Sequence, residues 1–448
     1  MADGRPALDS LLADAVARSQ AVAALEIGRG AVAATGRIWR ETLGERPALI
    51  LADDNTWGAA GAPVEAALTG AGIAHRRLIL PGQPRVKPTR EIGDDIAGRI
   101  AEAETLLALG SGVLNDLAKY AAFTRERPYL CVATAASMDG YTSGGAPLSD
   151  NGFKITIPCR PPVAVIGDLD VVAAAPAEMA GWGYGDLAGK VPAGADWILA
   201  DALGIEPVDA VAWPMVQDRL RDWLADPQAI AGGDFDAIWG LFAGLALVGL
   251  AMEAHGSSRP ASGADHQIAH LWEMENLTLA GERVSHGACV ALGCVATLSL
   301  YDWLIARDLS TLDIDAALAR APEAEATRAA IARAFPDRGV AERAEAETAA
   351  KALDPAAHRA RLERVQEVWP ALRTRLSAQV IPAGEMAAML RRAGAPAAPE
   401  EIGVTRAKLR ATVAAARFLR RRYTVLDLLH ETGLLSTALD DCFGKERR

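Results

Sequence analysis

Short apolar runs alternate with helical patterns over the first 175 residues of the chain. Runs rich in aliphatic and β-branched residues predict strands at 47–53, 75–80, 105–110, 128–134 and 162–172. Strands that alternate with helices build βαβ units, so residues 1–175 are predicted to form an α/β domain on a parallel sheet.

The pattern changes after residue 175. Strand signals nearly vanish, and segments such as 315–350 and 401–422 combine helical spacing with strong helix formers, which predicts an all-α domain over 176–448. The longest uncharged apolar run, 237–252, has 16 residues and three glycines, whereas a membrane span needs roughly 20 apolar residues. We therefore expect a core helix there and no membrane insertion. The arginine-rich segment 417–422 is interpreted as a solvated helix face.

Composition narrows the class of protein. The 448 residues are 51% hydrophobic and 23% charged, as in ordinary folded proteins, and the net charge of −11 argues against a nucleic-acid binder. Five scattered cysteines without a CxxC pair, and an N-terminus without a signal-peptide pattern, predict a reducing, cytoplasmic location. A folded enzyme with a small-molecule substrate fits these features best.

Two polar segments follow predicted strands. In the first, Gly110-Ser111-Gly112 joins a strand to a helix, where backbone N–H groups can approach a pyrophosphate. The spacing is not GxGxxG, and a purely structural turn fits equally well. The second, 134–143, reads TAASMDGYTS and lies where α/β sheets bind ligands, although an ordinary polar turn is the alternative.

Histidines concentrate in one stretch of the second half. Four of the seven, His255, His266, His270 and His286, lie within 32 residues. His266 and His270 are four residues apart and would share one helix face, as in HxxxH metal sites, with Asp186 of GWGYGDLAGK as a further ligand. Spacing alone would make His266 and His270 the ligands, and a structural histidine pair is the alternative.

Five ordered motifs between about residues 20 and 300 resemble the glycerol-1-phosphate dehydrogenase family, most closely its bacterial branch. They are GSGVLNDLAK, TAASMDGYTS, GYGDLAGKVPAGADW, SRPASGADHQIAHLWE and VSHGACVALG, with a weaker match in RYTVLDLLHETGLL. The family belongs to a group of metal-dependent enzymes that includes glycerol dehydrogenase and 3-dehydroquinate synthase. The resemblance implies a Rossmann-like nucleotide-binding domain, a helical domain, and an active site in the cleft between them.

The resemblance also assigns residues. The implied metal ligands are Asp186, His266 and His286, with His270 placed beside the substrate. The implied cofactor contacts are Asp54, Gly112, Val113, Leu114, Asn115, Asp116, Thr134, Ser137 and Ser143. The substrate contacts are Asp139, Asp186 and His270, with Arg259 and Lys190 as candidates for a phosphate. Ser111 replaces a glycine that many relatives have, which costs little unless its φ is positive.

The implied reaction is the reversible reduction of dihydroxyacetone phosphate to sn-glycerol 1-phosphate by NAD(P)H, with Asp54 favouring NAD(H). A divalent ion held by Asp186, with zinc favoured over nickel or iron, would polarise the carbonyl; His270 would relay a proton and Asp139 would orient the hydroxyl. We also expect a homodimer or larger assembly and a phospholipid precursor as product. The alternatives are a glycerol or other polyol dehydrogenase, a cyclising lyase similar to dehydroquinate synthase, and a scaffold without chemistry.

Overall fold

The computed structural model describes residues 5–150 and 153–445. Its strands are β1 (Ala24–Gly28), β2 (Ala48–Asp53), β3 (His75–Leu80), β4 (Thr105–Gly110), β5 (Tyr129–Ala133), β6 (Ala146–Asp150), β7 (Phe153–Ile157), β8 (Ala164–Asp168), β9 (Thr278–Leu279) and β10 (Glu282–Arg283). Its α-helices are α1 (Arg5–Arg18), α2 (Thr35–Leu43), α3 (Asp54–Gly70), α4 (Arg90–Arg99), α5 (Gly112–Thr124), α6 (Leu169–Ala173), α7 (Ala177–Ala188), α8 (Lys190–Ala202), α9 (Ala212–Gln217), α10 (Leu220–Trp223), α11 (Pro227–Ala231), α12 (Phe235–His255), α13 (Ala264–Met274), α14 (His286–Ile305), α15 (Ile314–Ala319), α16 (Ala324–Ala334), α17 (Arg338–Ala349), α18 (Pro355–Gln379), α19 (Ala383–Arg392), α20 (Arg406–Ala416), α21 (Val425–Glu431) and α22 (Leu435–Phe443). Short 3₁₀ turns lie at Ala31–Ala34, Leu309–Thr311 and Pro399–Ile402.

Six strands form one parallel sheet in the order β1-β8-β5-β4-β2-β3. Every residue of β4, β5 and β8 is buried, which explains why these strands appear in the sequence as continuous apolar runs. The prediction of an α/β domain on a parallel sheet is confirmed. The run predicted as a strand over 162–172 is shorter than expected, because Asp168 ends β8 and caps α6 by accepting a hydrogen bond from the Asp170 N–H at 3.0 Å.

Three β features were not predicted from the sequence: strand β1, the β6–β7 hairpin and the small β9–β10 pair. Strand β1 pairs with β8 at an edge of the sheet, and all five of its residues are only half-buried, so it lacks a strong apolar signature. Strands β6 and β7 form a separate antiparallel hairpin. After residue 175, the regular elements of the described chain are helices, apart from the small β9–β10 pair. The predicted all-α character of this part is therefore confirmed.

The chain divides into two compact units. The first contains residues 1–187, 211–260 and 392–395, and the second contains 188–210, 261–391 and 396–448. This division differs from the predicted boundary at 175/176, because α12 packs with the sheet layer. It contacts β1 and α6, and Phe242 lies so close to Gly167 of β8 that a Cβ there would come within 2.5 Å of its ring.

Two helices, α12 and α14, are long and apolar enough to cross a membrane by length and composition alone. Most of each helix is nevertheless buried within the protein, as in the core helices of folded domains. The run 237–252 is thus a buried core helix, as predicted.

The arginine-rich segment 417–422 is not a solvated helix face. Helix α20 ends at Ala416, and both Arg417 and Phe418 are only 7% exposed. The prediction was wrong because this segment follows the helix and its first two residues turn inward, although Arg421 is exposed.

Candidate active site

The Gly110-Ser111-Gly112 turn joins β4 to α5 in the first unit. A Cβ on Gly110 would lie 2.4 Å from the Leu114 side chain, so this position has no room for a larger residue. Ser111 has a φ of −90°, which confirms that serine is tolerated there without strain. The Ser111 side chain does not cap α5, and the first-turn N–H groups at Gly112 and Val113 suit an anionic ligand.

The helix behind this turn carries buried polar residues that shape the next loop. The Asn115 side-chain amide donates to the Gly140 carbonyl at 3.3 Å and accepts from the Tyr129 hydroxyl at 3.0 Å. The Lys119 ammonium group donates to the carbonyls of Gly140 and Gly145 at 3.0 Å each. Asn115 therefore supports the loop from within, and Lys119 and Tyr129 are functional supports that the sequence reasoning left without a role.

The loop 134–143 closes against the same turn. The Thr134 N–H donates to the Gly110 carbonyl at 3.2 Å, and Tyr141 and Ser143 hydroxyls donate to carbonyls within the loop. Thr134, Ser137, Asp139 and Ser143 are all buried. The structure thus brings this predicted group together with the glycine turn at the carboxyl edge of β4 and β5, while their contact with a nicotinamide cofactor stays a prediction.

Asp139 and Asp186 are adjacent. The backbone N–H of Asp139 donates to Asp186 Oδ2 at 3.0 Å, and the Asp186 side chain is fully buried. A Cβ on Gly183 would lie 1.9 Å from the Ala136 carbonyl oxygen. Gly183 therefore allows α7 to approach the loop closely enough to form this hydrogen bond.

Two other predicted cofactor residues have defined neighbours. Asp54 Oδ2 accepts from the Gly82 N–H at 3.0 Å and so fixes the turn after β3. Asp116 lies 3.5 Å from the Lys119 ammonium group. Neither contact tests the predicted role of these residues towards a cofactor.

Three histidines meet in the second unit. The ring centroids of His266 and His270 on α13 are 6.1 Å apart, and that of His286, the first residue of α14, lies 5.4 Å from His266 and 5.9 Å from His270. Gly293 permits this arrangement, because a Cβ there would lie 2.2 Å from the Asp265 carbonyl oxygen. Three of the four histidines that cluster in the sequence therefore meet in space, whereas His255, at the end of α12, contacts the Ser257 hydroxyl at 2.9 Å.

Two carboxylates orient this cluster. Asp265 Oδ2 lies 2.5 Å from His266 Nδ1, and Glu273 Oε1 lies 3.0 Å from His286 Nδ1. With Nδ1 engaged, each ring keeps Nε2 for a metal, and such outer carboxylates raise the basicity of the imidazole. The sequence reasoning missed both, although Asp265 precedes His266 directly and Glu273 follows His270 by three residues, on the same helix face.

Besides the implied ligands Asp186, His266 and His286, a second set of possible metal ligands includes residues of this histidine cluster. His270, Glu273 and His286 each offer one ligand atom, and these atoms lie within 4.8 Å of one another. Because Glu273 already contacts Nδ1 of His286, its carboxylate is placed to orient a ligand and not to bind the same metal as that ring.

The two candidate phosphate ligands are both fully buried. Lys190 opens α8, and Arg259 follows α12. Burial and the charge of Asp265 raise the pKa of the Cys294 thiol, and the nearby Lys190 ammonium group partly opposes that rise. Burial shows that neither residue is a surface cation, whereas a helix-packing ion pair is the alternative to the phosphate role, which stays a prediction.

Comparisons with known proteins bear on the class of the enzyme. Residues 26–176 match the family model described as iron-containing alcohol dehydrogenase. The solved structure of a probable glycerol dehydrogenase from Sinorhizobium meliloti aligns with a TM-score of 0.60 at 17% identity, over 93% of this chain and 96% of that one. The glycerol dehydrogenase of Schizosaccharomyces pombe also aligns with a TM-score of 0.60, at 16% identity, over 94% of this chain and 88% of that one. These structures share the fold, which is that of the iron-containing alcohol dehydrogenase class.

Closer relatives identify the family. The chain is 34% identical over 283 residues to the glycerol-1-phosphate dehydrogenase [NAD(P)+] of Halalkalibacterium halodurans, an alignment that covers 62% of this chain and 70% of the relative. It is 35% identical over 286 residues to the enzyme of the same name from Thermofilum pendens, covering 63% of this chain and 80% of the relative. The protein is an NAD(P)-dependent oxidoreductase, and it belongs to the glycerol-1-phosphate dehydrogenase family.

Proposed function

We propose that this protein reduces dihydroxyacetone phosphate reversibly to sn-glycerol 1-phosphate. The observation that carries the proposal is the three-histidine cluster of α13 and α14, in which carboxylates orient two of the three rings. Such a cluster is typical of a catalytic metal centre, and the family relatives carry the matching activity in their names.

The residues that would hold the metal are Asp186, His266 and His286. They form a donor set of one carboxylate and two imidazoles, which suits zinc, nickel or iron, and zinc is our choice. Asp186 and His266 are buried, as expected of ligands in a water-poor site. When bound, the ion supplies a Lewis acid at the substrate oxygens, and the nicotinamide supplies the hydride.

His270 is proposed to move the proton. Its ring lies close to both proposed histidine ligands, and we assign it no role in holding the metal. It can therefore donate a proton to the oxygen that becomes the C2 hydroxyl. Asp139 is proposed to orient the hydroxyl end of the substrate, since the hydrogen bond from its backbone to Asp186 fixes its position.

Two buried cations are proposed to distinguish a phosphorylated substrate from free glycerol. Lys190 and Arg259 are proposed to bind the substrate phosphate, because both are buried and a cationic side chain is the usual donor to phosphate oxygens. The uncapped N-terminus of α5 is proposed to bind the pyrophosphate of the cofactor. Asp54 is proposed to favour NAD(H) through the ribose 2′-hydroxyl.

The remaining sequence expectations stay predictions. They are the homodimeric or larger assembly, the cytoplasmic location, the active site in a cleft between two domains, and the use of the product in phospholipid synthesis.

The test is oxidation of NADH and NADPH by the zinc-loaded protein, with dihydroxyacetone phosphate and dihydroxyacetone compared side by side. We expect a strong preference for the phosphorylated ketone and a product that only a 1-phosphate-specific enzyme recognises. Equal rates with both ketones would favour a polyol dehydrogenase. No net oxidation with either ketone, despite bound metal and cofactor, would favour a cyclising lyase.

A further inference from the structure

A buried arginine lies outside the proposed active-site residues. Arg417 follows α20, is only 7% exposed, and stacks against the ring of Phe418 at 4.8 Å. Within the described part of the chain, its buried Nε has no hydrogen-bond partner. A guanidinium group in such a place costs free energy unless an acceptor reaches it.

The first carboxylate that acts on Arg417 electrostatically is already occupied. Asp427 Oδ1 lies 2.6 Å from the Lys351 ammonium group, and Asp427 Oδ2 accepts from the Thr424 N–H at 3.0 Å. Both oxygens of Asp427 therefore serve other donors.

The second carboxylate is occupied in the same way. Glu431 Oε2 accepts from the Tyr423 hydroxyl at 2.7 Å, and Glu431 Oε1 lies 3.7 Å from the Arg361 guanidinium group. Burial lowers the pKa of Arg417, and Asp427 and Glu431 only partly oppose this effect.

A second buried donor belongs to the same neighbourhood. Lys351 links Thr348 to Arg417. Its backbone N–H donates to the Thr348 carbonyl at 3.2 Å, and its side-chain ammonium group donates to the Arg417 carbonyl at 2.6 Å. Among the described residues, the buried Thr348 hydroxyl has no hydrogen-bond partner.

The surroundings carry an excess of positive charge. Burial and the nearby Arg343 lower the pKa of Arg420, and the opposing Glu347 is held by the Arg421 guanidinium group at 3.2 Å. Burial, followed by the charges of Arg417, Lys351 and His358, lowers the pKa of His430 to about 3. Cations thus outnumber the carboxylates that could neutralise them.

We propose that Arg417, with Thr348 and Lys351, forms an oxyanion-binding site for a phosphate group. A phosphate offers several acceptor oxygens and negative charge, which would satisfy the Arg417 Nε–H and the Thr348 hydroxyl together. The proposal does not depend on the proposed function, because it concerns anion binding by the second unit alone.

The experiment measures inorganic phosphate binding by calorimetry, using the full-length protein without nicotinamide and with potassium chloride at matched ionic strength as the reference. We expect the wild type to bind phosphate and Arg417→Met to bind it at least about tenfold more weakly, as the loss of a charged hydrogen bond requires. Thr348→Val should weaken binding by a smaller factor.

The matched control is Arg421→Met, which removes the same charge from an exposed arginine paired with Glu347. It should retain phosphate binding. A thermal scan in chloride adds an independent test: Arg417→Met should unfold at the same temperature as the wild type or higher, because it removes a buried charge whose neighbouring carboxylates are engaged by other donors. If Arg417→Met does not fold, Arg417→Lys replaces it, and reduced phosphate affinity is again expected.

The proposal is overturned if the wild type does not bind phosphate, or if Arg417→Met and Arg421→Met weaken binding equally. A lowered unfolding temperature of Arg417→Met in chloride, with phosphate binding intact, would also overturn it. The source of the phosphate is found by competition. Displacement of phosphate by glycerol 1-phosphate but not by glycerol would identify the phosphate group of the substrate as the ligand of this site. No displacement would identify free phosphate as the ligand. Both results support the site.

Discussion

The two units use polar residues in different ways. In the first unit, Asn115, Lys119 and Tyr129 bond to the protein itself and shape a loop, so the backbone of the glycine turn is left to recognise a ligand. In the second unit, the imidazoles of α13 and α14 are the proposed ligands, and carboxylates orient them. Substitutions of Asn115, Lys119 or Tyr129 should therefore act through loop shape, and those of the histidines through the loss of ligand atoms. Asp186, the proposed ligand in the first unit, belongs with the histidines in this respect.

The largest effect should follow from His286→Ala. His286 is shared by both possible ligand sets, so we expect loss of bound metal and of turnover together. Metal content by mass spectrometry and NADH oxidation measure the two losses. Binding of NAD(H), followed by fluorescence, should persist. If it is lost as well, the proposal that the metal and the cofactor are bound by different sets of residues is wrong.

A smaller effect on the same site should follow from Asp265→Asn. The variant keeps a hydrogen-bond acceptor for His266 Nδ1 but removes the charge, so metal affinity should fall about 10- to 100-fold. Competition with a chromophoric chelator measures this change. Asp302→Asn, on α14 but away from the histidines in sequence, is the matched control and should leave metal affinity unchanged.

Lys119→Met tests the first unit. Loss of the Lys119 ammonium group would leave the carbonyls of Gly140 and Gly145 without a donor that they now share. This should lower the free energy of unfolding by about 1–3 kcal/mol. We expect weaker NAD(H) binding with unchanged metal affinity. A change in metal affinity as large as that of Asp265→Asn would contradict the comparison.

The smallest effect on the proposed site concerns His430, a histidine outside the cluster, because its titration should change stability and leave metal binding unchanged. Burial, with Arg417, Lys351 and His358, lowers its folded-state pKa to about 3, below its ordinary value. The unfolded chain therefore binds a proton that the folded chain does not, and stability should fall as the pH falls from about 6.5 towards 4, by at most about 1.4 kcal/mol per pH unit.

Denaturant unfolding at several pH values checks this dependence. His430→Asn should flatten it while metal content stays that of the wild type. An equally steep dependence in the variant would assign the effect to another group.

Some of these features could be predicted from the sequence and others could not. Buried parallel strands such as β4 and β5 are recognisable because both faces are apolar, whereas the half-buried edge strand β1 is not. The shift to helical composition near residue 175 marks secondary structure, yet it does not show that α12 packs with the sheet.

The candidate site divides in the same way. Motif resemblance points to His266, His270 and His286, and these rings do meet. The roles of Asp265, Glu273 and Lys119 depend on which side chains face each other, and spacing alone does not give that. The burial of Arg417 was missed because a charge-rich segment is usually a solvated surface.

The most direct test of the account compares the metal content of His266→Ala with that of His270→Ala, after both are loaded with zinc and dialysed. We expect His266→Ala to lose tightly bound zinc and turnover, and His270→Ala to retain zinc but lose turnover. Equal retention of zinc by the two variants, or loss in His270→Ala alone, would contradict the assignment of the metal to Asp186, His266 and His286.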